Sequence, residues 1–163
     1  MQSRLATVLA TLVLAACAAL PGAGLKPGVS TESEVRAALG KPAVELAEPG
    51  GGRSLAYPTG PMGTQTFMAR LGPDGVLRSL DQVLAQEYFA QLRPGKTTGA
   101  EVLRIIGPPW RRMDFPNKRQ VAWDYVFQDS WGYVVDYSVM LDERGIVAEM
   151  AYVRRESGRD GRR

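Results

Sequence analysis

One stretch of this 163-residue chain occurs twice. Leu25-Lys-Pro-Gly-Val-Ser-Thr-Glu-Ser-Glu-Val-Arg-Ala-Ala-Leu-Gly-Lys-Pro42 aligns without gaps to Leu92-Arg-Pro-Gly-Lys-Thr-Thr-Gly-Ala-Glu-Val-Leu-Arg-Ile-Ile-Gly-Pro-Pro109, at an offset of 67 residues. Eight of the 18 positions are identical, and Lys/Arg, Ser/Thr and Leu/Ile pair conservatively at three more. Gly and Pro fall in register throughout. A duplication of this kind constrains the fold more than any local propensity: the chain must be two copies of one supersecondary unit, each near the size where a lone core is marginal.

The repeated residues have mechanical roles. Thr31 and Thr98 are placed as helix N-caps, and Glu34 and Glu101 follow three residues later, where a carboxylate reaches back to the N-cap amide in a capping box. Val35/Ala38/Leu39 and Val102/Ile105/Ile106 have i, i+3, i+4 spacing and form one buried stripe each. Gly40 and Gly107 supply a left-handed residue after each helix, and Pro42 and Pro109 prevent resumption. Each unit therefore opens with a helix of about two turns.

Downstream, Leu55-Ala-Tyr57 corresponds to Val121-Ala-Trp123, and Leu71-Gly-Pro-Asp-Gly-Val-Leu77 to Leu141-Asp-Glu-Arg-Gly-Ile-Val147. The Gly72–Gly75 and Asp142–Gly145 segments read as hairpin turns ending in a Gly. Alternation of apolar and polar residues predicts strands near 53–58, 64–71 and 75–83 in the first unit, and 119–128, 132–142 and 145–153 in the second. The fold class is thus α+β: two tandem modules, each a short helix (or helix pair) followed by a three-stranded antiparallel sheet. The helix pair belongs to the second module, where 85–92 reads as an extra short helix with Tyr88, Phe89 and Leu92 available to pack. Pro21 and Gly22 forbid its counterpart in the first.

The ends read differently. Arg4 precedes an apolar run from Leu5 to Ala16, the length of a signal-peptide core and too short to span comfortably. The run ends in Leu14-Ala15-Ala16-Cys17, which resembles the lipobox of bacterial lipoproteins. That resemblance implies cleavage before Cys17, acylation of its thiol and stable membrane anchoring through the acyl chains, palmitate among them. Ala18 lacks the Asp of an inner-membrane retention signal, so the expected location is the outer membrane, lipid-anchored and facing the periplasm. The division expected is a signal peptide at 1–16, an acylated flexible tether at 17–24, modules at 25–83 and 84–153, and a disordered basic tail at 154–163.

Composition narrows the chemistry. The chain has one Cys and no His. It therefore lacks an intramolecular disulfide, the usual zinc ligands and the usual base for a Ser or Cys nucleophile. The reading is a chain with no catalytic residue, no metal and no cofactor. The net charge of +3 resides in the signal and tail, because residues 17–153 hold 14 basic and 15 acidic side chains. No nucleic-acid footprint follows from that distribution. Glu34 and Glu101 recur in equivalent places and invite an acid/base role, but capping accounts for both. Arg111-Arg112 with Lys118-Arg119 reads as a solvated loop rather than a headgroup site.

The repeated Pro-Gly-x-[Ser/Thr]-x-x-x-Glu-Val…Gly-x-Pro pattern, followed by an aromatic strand and a Gly-containing hairpin, resembles the SmpA/OmlA domain of BamE-like outer-membrane lipoproteins. The resemblance covers Leu25–Leu80 and Tyr88–Val153. Tandem modules of this kind also resemble the architecture of the β-lactamase inhibitory protein. The first resemblance implies an accessory or scaffold that binds envelope proteins, β-barrel assembly components among them. The second implies the alternative of a periplasmic protein inhibitor. Aromatic residues concentrate in the second unit, and those beside turn or loop signals are the candidate partner contacts: Trp110, Phe115, Trp131 and Tyr133. Trp123, Tyr125 and Phe127 alternate and belong to the core. The two sheets are expected side by side or edge to edge, with the helices on one face and the opposite face free.

Overall fold

The computed structural model describes residues 21–59 and 63–155. The signal segment 1–16, Cys17 and residues 156–163 of the basic tail lie outside the described residues. The element order is α1 (Glu32–Leu39), β1 (Val44–Ala47), β2 (Arg53–Pro58), β3 (Thr66–Leu71), β4 (Leu77–Gln82), α2 (Gln86–Phe89), α3 (Gly99–Ile106), β5 (Arg111–Phe115), β6 (Gln120–Gln128), β7 (Val134–Leu141) and β8 (Val147–Arg154).

Both units enter their first long helix in the same way. The buried Ser30 hydroxyl accepts from Lys26 N–H at 3.0 Å, and Thr97 Oγ1 accepts from Arg93 N–H at 2.9 Å. These bonds close the Pro-Gly turn. Each turn then docks on its own last hairpin, with Gly28 N–H donating to Leu77 O and Gly95 N–H to Val147 O, both at 2.7 Å. The caps follow. Glu34 N–H donates to Thr31 Oγ1 while Thr31 N–H donates to Glu34 Oε2 at 2.7 Å; Thr98 and Glu101 repeat the arrangement, again at 2.7 Å. After each helix, Gly40 (φ 80°, ψ −152°) and Gly107 (φ 78°, ψ −170°) take the positive φ expected of them. Their ψ is extended rather than left-handed helical, which places them in a region open essentially to Gly alone.

The strands form two antiparallel meanders, β1-β2-β3-β4 and β5-β6-β7-β8. This corrects the expectation of three strands per sheet. The added strands, β1 and β5, are both outer edges, and their sequences show why alternation misses them. β1 is only the four residues Val-Glu-Leu-Ala, and β5 is Arg-Arg-Met-Asp-Phe, exposed at every position. Short length and charge are how edge strands avoid pairing with other chains. The duplication also survives in the irregularities, since β3 and β7 each carry a register shift at the last pair, before Leu71 and before Leu141.

Each sheet buries one face against its own helix. Val35 of α1 packs on Leu55, Tyr57, Ala69, Leu71 and Leu77. Val102 and Ile106 of α3, with Phe89 and Leu92, pack on Trp123, Tyr125, Phe127, Tyr137, Val139 and Val147. The second face of the first sheet is not free, contrary to the side-by-side expectation. Ala56 and Met68 are fully buried there, and the Gly107 backbone lies against Thr66, Met68 and Ala56. Arg70 Nη2 donates to Arg104 O at 3.3 Å, and Arg104 Nε donates to Ala47 O at 3.2 Å. The order is therefore α1, first sheet, α2 with α3, second sheet. Burial on both faces explains why Ser54, Leu55, Ala56 and Tyr57 are consecutively buried.

The connection between units is ordered strand into helix. Val83 and Leu84 are buried, and the Gln82 side chain bonds both Leu84 N–H (2.6 Å) and Leu84 O (3.2 Å). At the start of the described chain, Pro21–Gly24 form a turn, closed by Leu25 N–H to Gly22 O at 3.0 Å, and Leu25 packs on the first core. Among the described residues, no helix is long and apolar enough to cross a membrane.

Candidate protein-contact surface

The β6–β7 hairpin turns through Asp129-Ser-Trp-Gly-Tyr133, and Asp129 organises it. Its Oδ1 accepts from Trp131 N–H at 2.9 Å and Tyr133 N–H at 3.0 Å, an Asx-turn that fixes the loop without apolar packing. Gly132, at φ 80°, donates to Asp129 O. On the other oxygen, Arg154 Nη2 pairs with Oδ2 at 2.7 Å, and the same guanidinium lies 5.2 Å from the Tyr133 ring centroid. Desolvation pushes the Asp129 carboxyl upward, but the Tyr133 and Trp131 amides and Arg154 outweigh it and hold the group below its ordinary value. The consequence is a fixed loop that presents a bare indole: Trp131 is 78% exposed and Tyr133 44%.

Beside the hairpin, α2 and the ends of β6, β7 and β8 enclose an open groove of about 470 Å³. Its floor is Phe89, Phe127, Val135, Tyr137 and Met150, with Tyr152 and Arg154 along the β8 rim. The floor is held by its own internal packing. Phe89 packs tilted on Phe127 and Tyr137, with centroids 4.7 and 4.2 Å away, and the Tyr137 hydroxyl donates to the Met150 thioether at 3.2 Å. Phe89 comes from α2, which the first unit lacks. The groove is therefore a property of the second unit alone.

The four aromatic residues expected as contacts do not share one surface. Trp131 and Tyr133 stand together at the end of β6 nearest Gln128. Phe115 pairs with Gln120 at the other end of β6 and is 38% exposed on strand β5, not on a loop. Trp110 is half-buried, which departs from the exposed role. It lines a cavity of about 280 Å³ at the junction of the units, with Val44, Pro58, Thr66 and Tyr125, and Arg111 covers its ring at 4.8 Å. Its Nε1 is buried without a hydrogen-bond partner among the described residues. Sequence reasoning missed Tyr152, 70% exposed on the last strand. It also missed Asp129 and Arg154, for which Asp two residues before an exposed Trp at a Gly turn was the available signal.

Glu34 and Glu101 are engaged by their caps. Hydrogen bonds from Thr31 and Thr98 backbone, then side chain, hold both carboxyls below their ordinary value, which suits capping and not proton donation. The cationic residues read as one solvated loop divide: Arg111 and Arg112 stand on strand β5, Arg111 paired with Asp124 at 2.7 Å and Arg112 over the Trp123 ring at 4.4 Å, while Lys118 and Arg119 at the β5–β6 turn pair with Glu149 at 3.3 Å and Glu143 at 3.5 Å. No cluster of three or more His, Cys, Asp or Glu suited to a metal ion occurs among the described residues.

No protein-family model matches the chain. No curated protein matches it either. Among solved structures it is similar to a DUF4309 family protein, YjgB, from Bacillus subtilis subsp. subtilis strain 168, at 16% sequence identity over 82% of this chain and 83% of that one, with a TM-score of 0.29, a likeness that carries no argument about either fold or function.

Proposed function

We propose that this chain is an outer-membrane lipoprotein that acts without catalysis, binding envelope proteins as an accessory or scaffold in outer-membrane protein assembly. The observation that carries the reading is Trp131. A large indole held in solvent by a hydrogen-bonded, ion-paired hairpin has no folding role of its own, and it borders an apolar groove with a rigid aromatic floor. Pre-ordered aromatic side chains of this kind supply contact area at little entropic cost and dominate the energetics of protein interfaces. The repeated motif's resemblance to SmpA/OmlA domains and the lipobox at Cys17 supply the compartment and the partner class.

Affinity purification of a C-terminally tagged, membrane-extracted protein tests the reading. Barrel-assembly or other envelope proteins should co-purify with the intact chain and be lost with Trp131→Ala at equal expression. Co-purification of a soluble secreted enzyme instead would favour an inhibitor, and recovery unchanged by Trp131→Ala would remove the hairpin from the account.

A further inference from the structure

The last strand leaves an edge that a second copy of this chain fits. β8 is the outer strand of its sheet, and residues 151–155 are exposed along it, Tyr152 at 70% and Val153 at 66%. The direction of its backbone groups follows from one bond: Arg155 N–H donates to Val134 O at 2.8 Å, toward β7. Antiparallel pairing alternates, and β8 runs without a register shift from Glu149 to Arg154. The backbone groups of Glu149, Ala151 and Val153 thus also face β7, while the N–H and C=O groups of Met150, Tyr152 and Arg154 point outward with no strand beside them among the described residues. None of these positions is Pro and no described helix covers them; the charges the edge carries, Glu149, Arg154 and Arg155, are of both signs and so can pair across a two-fold axis instead of only repelling.

We infer that β8 pairs antiparallel with β8 of a second copy, across a two-fold axis at Tyr152. This inference stands apart from the accessory role proposed above. Symmetry and sheet pleat allow only registers that keep each face together, and charge chooses among them. With Tyr152 opposite its own copy, Met150 faces Arg154 and both are outward-bonding positions, so the backbone bonds form in reciprocal pairs. The intervening positions then place Ala151 opposite the exposed Val153, and Glu149, whose Oε1 meets the exposed Lys118 Nζ at 3.3 Å, opposite Arg155, twice by symmetry. Asp136 engages Arg155 through Nε and Nη2, along one edge of the guanidinium. Centring the axis on Ala151 instead sets Glu149 against Val153 and leaves no charge pair. Pairing in the Tyr152 register joins the sheets edge to edge and brings the two apolar grooves together, because Met150, Tyr152 and Arg154 line the groove side of the strand. Fixing both copies to one membrane would raise their effective concentration further.

Disulfide formation in membranes from cells expressing the full chain tests the register. Residues directly opposite in a hydrogen-bonded pair have Cα atoms about 5.5 Å apart, within the range a disulfide spans. Tyr152→Cys should therefore give a covalent dimer on mild oxidation. Ala148→Cys should not, because four residues from the axis the two copies lie about 27 Å apart. Glu149→Arg in the Tyr152→Cys background should lower the dimer at least about fivefold by setting like charges opposite, and adding Arg155→Glu should restore it. Tyr152, Glu149 and Arg155 are exposed and Ala148 is half-buried, so each variant keeps its fold. Absence of a Tyr152→Cys dimer, equal dimer from Ala148→Cys, or a Tyr152→Cys adduct with another protein in place of the dimer would overturn the inference.

Discussion

Gly40 and Gly107 occupy the same place in the two units and share nearly the same backbone, φ 80° and 78°. Their surroundings differ. A Cβ on Gly40 would meet nothing within 4 Å, whereas one on Gly107 would lie 2.9 Å from Thr66 Cγ2 and 3.6 Å from Met68 Cε, in the other unit. Carbon atoms in contact ordinarily sit about 3.5–4.0 Å apart, and Thr66 is buried at the rim of the junction cavity, so its methyl must be displaced for the added Cβ to fit. Gly40→Ala should therefore cost only the backbone strain, about 1–3 kcal/mol. Gly107→Ala adds overpacking of about 1–3 kcal/mol. For a chain of this size a difference of that order lowers Tm by about 2–4 °C per kcal/mol, read by circular dichroism. Thr66→Ser deletes the offending methyl and should return most of the excess in Gly107→Ala while sparing Gly40→Ala. Equal Tm losses for the two Gly variants, with no rescue by Thr66→Ser, would refute the stacking of the first sheet on the second unit's helices.

Thr31→Ala and Thr98→Ala each remove a capping hydroxyl and should cost about 0.5–2 kcal/mol, seen as additive shifts in a urea titration. Because Glu34 and Glu101 are depressed below 4.5 in the folded state, their contribution is present at neutral pH and lost as pH falls through that region; Glu34→Gln with Glu101→Gln should flatten this part of the acid limb. Expressed separately, residues 84–155 should keep a cooperative transition, since that unit holds its own core, whereas 21–83 should not, because Ala56 and Met68 lose their cover. Radiolabelled palmitate should enter the intact chain, and Cys17→Ser should accumulate as unprocessed, unlabelled precursor.

The helix starts are legible in the sequence because a capping box spans three residues and needs no tertiary partner. The long strands are legible because Trp123, Tyr125 and Phe127 recur at every second position of β6 and face one core, even though Asp124 and Val126 between them are buried too. What is not legible depends on residues far apart in the chain. Thr66, Ala56 and Met68 are unremarkable as letters, and only the approach of Gly107 makes their face an interior one. Trp110 reads as exposed because its neighbours Pro109 and Arg111 are turn and surface residues, yet it lines a cavity at the junction together with Val44 and Pro58 of the first unit. Strands β1 and β5 escape detection since an edge strand is selected for charge and brevity rather than alternation. Ser30 and Thr97 were the accessible omission: a hydroxyl repeated three residues after Pro in both copies signals a side chain that closes the turn. Among the candidate contacts, Trp131 and Tyr133 could be placed from their Asp and Gly neighbours, whereas Phe115 needed the pairing of β5 with β6.

A partner protein that docks on the β6–β7 hairpin comes within reach of a photo-crosslinking amino acid placed at Trp131. Irradiated in living cells, the Trp131 position should yield a discrete adduct with another envelope protein. The same probe at Arg144, exposed on the opposite hairpin of the second sheet, should yield none. Absence of an adduct at Trp131, or an identical set of adducts at Arg144, would mean that the hairpin is not a partner-binding surface.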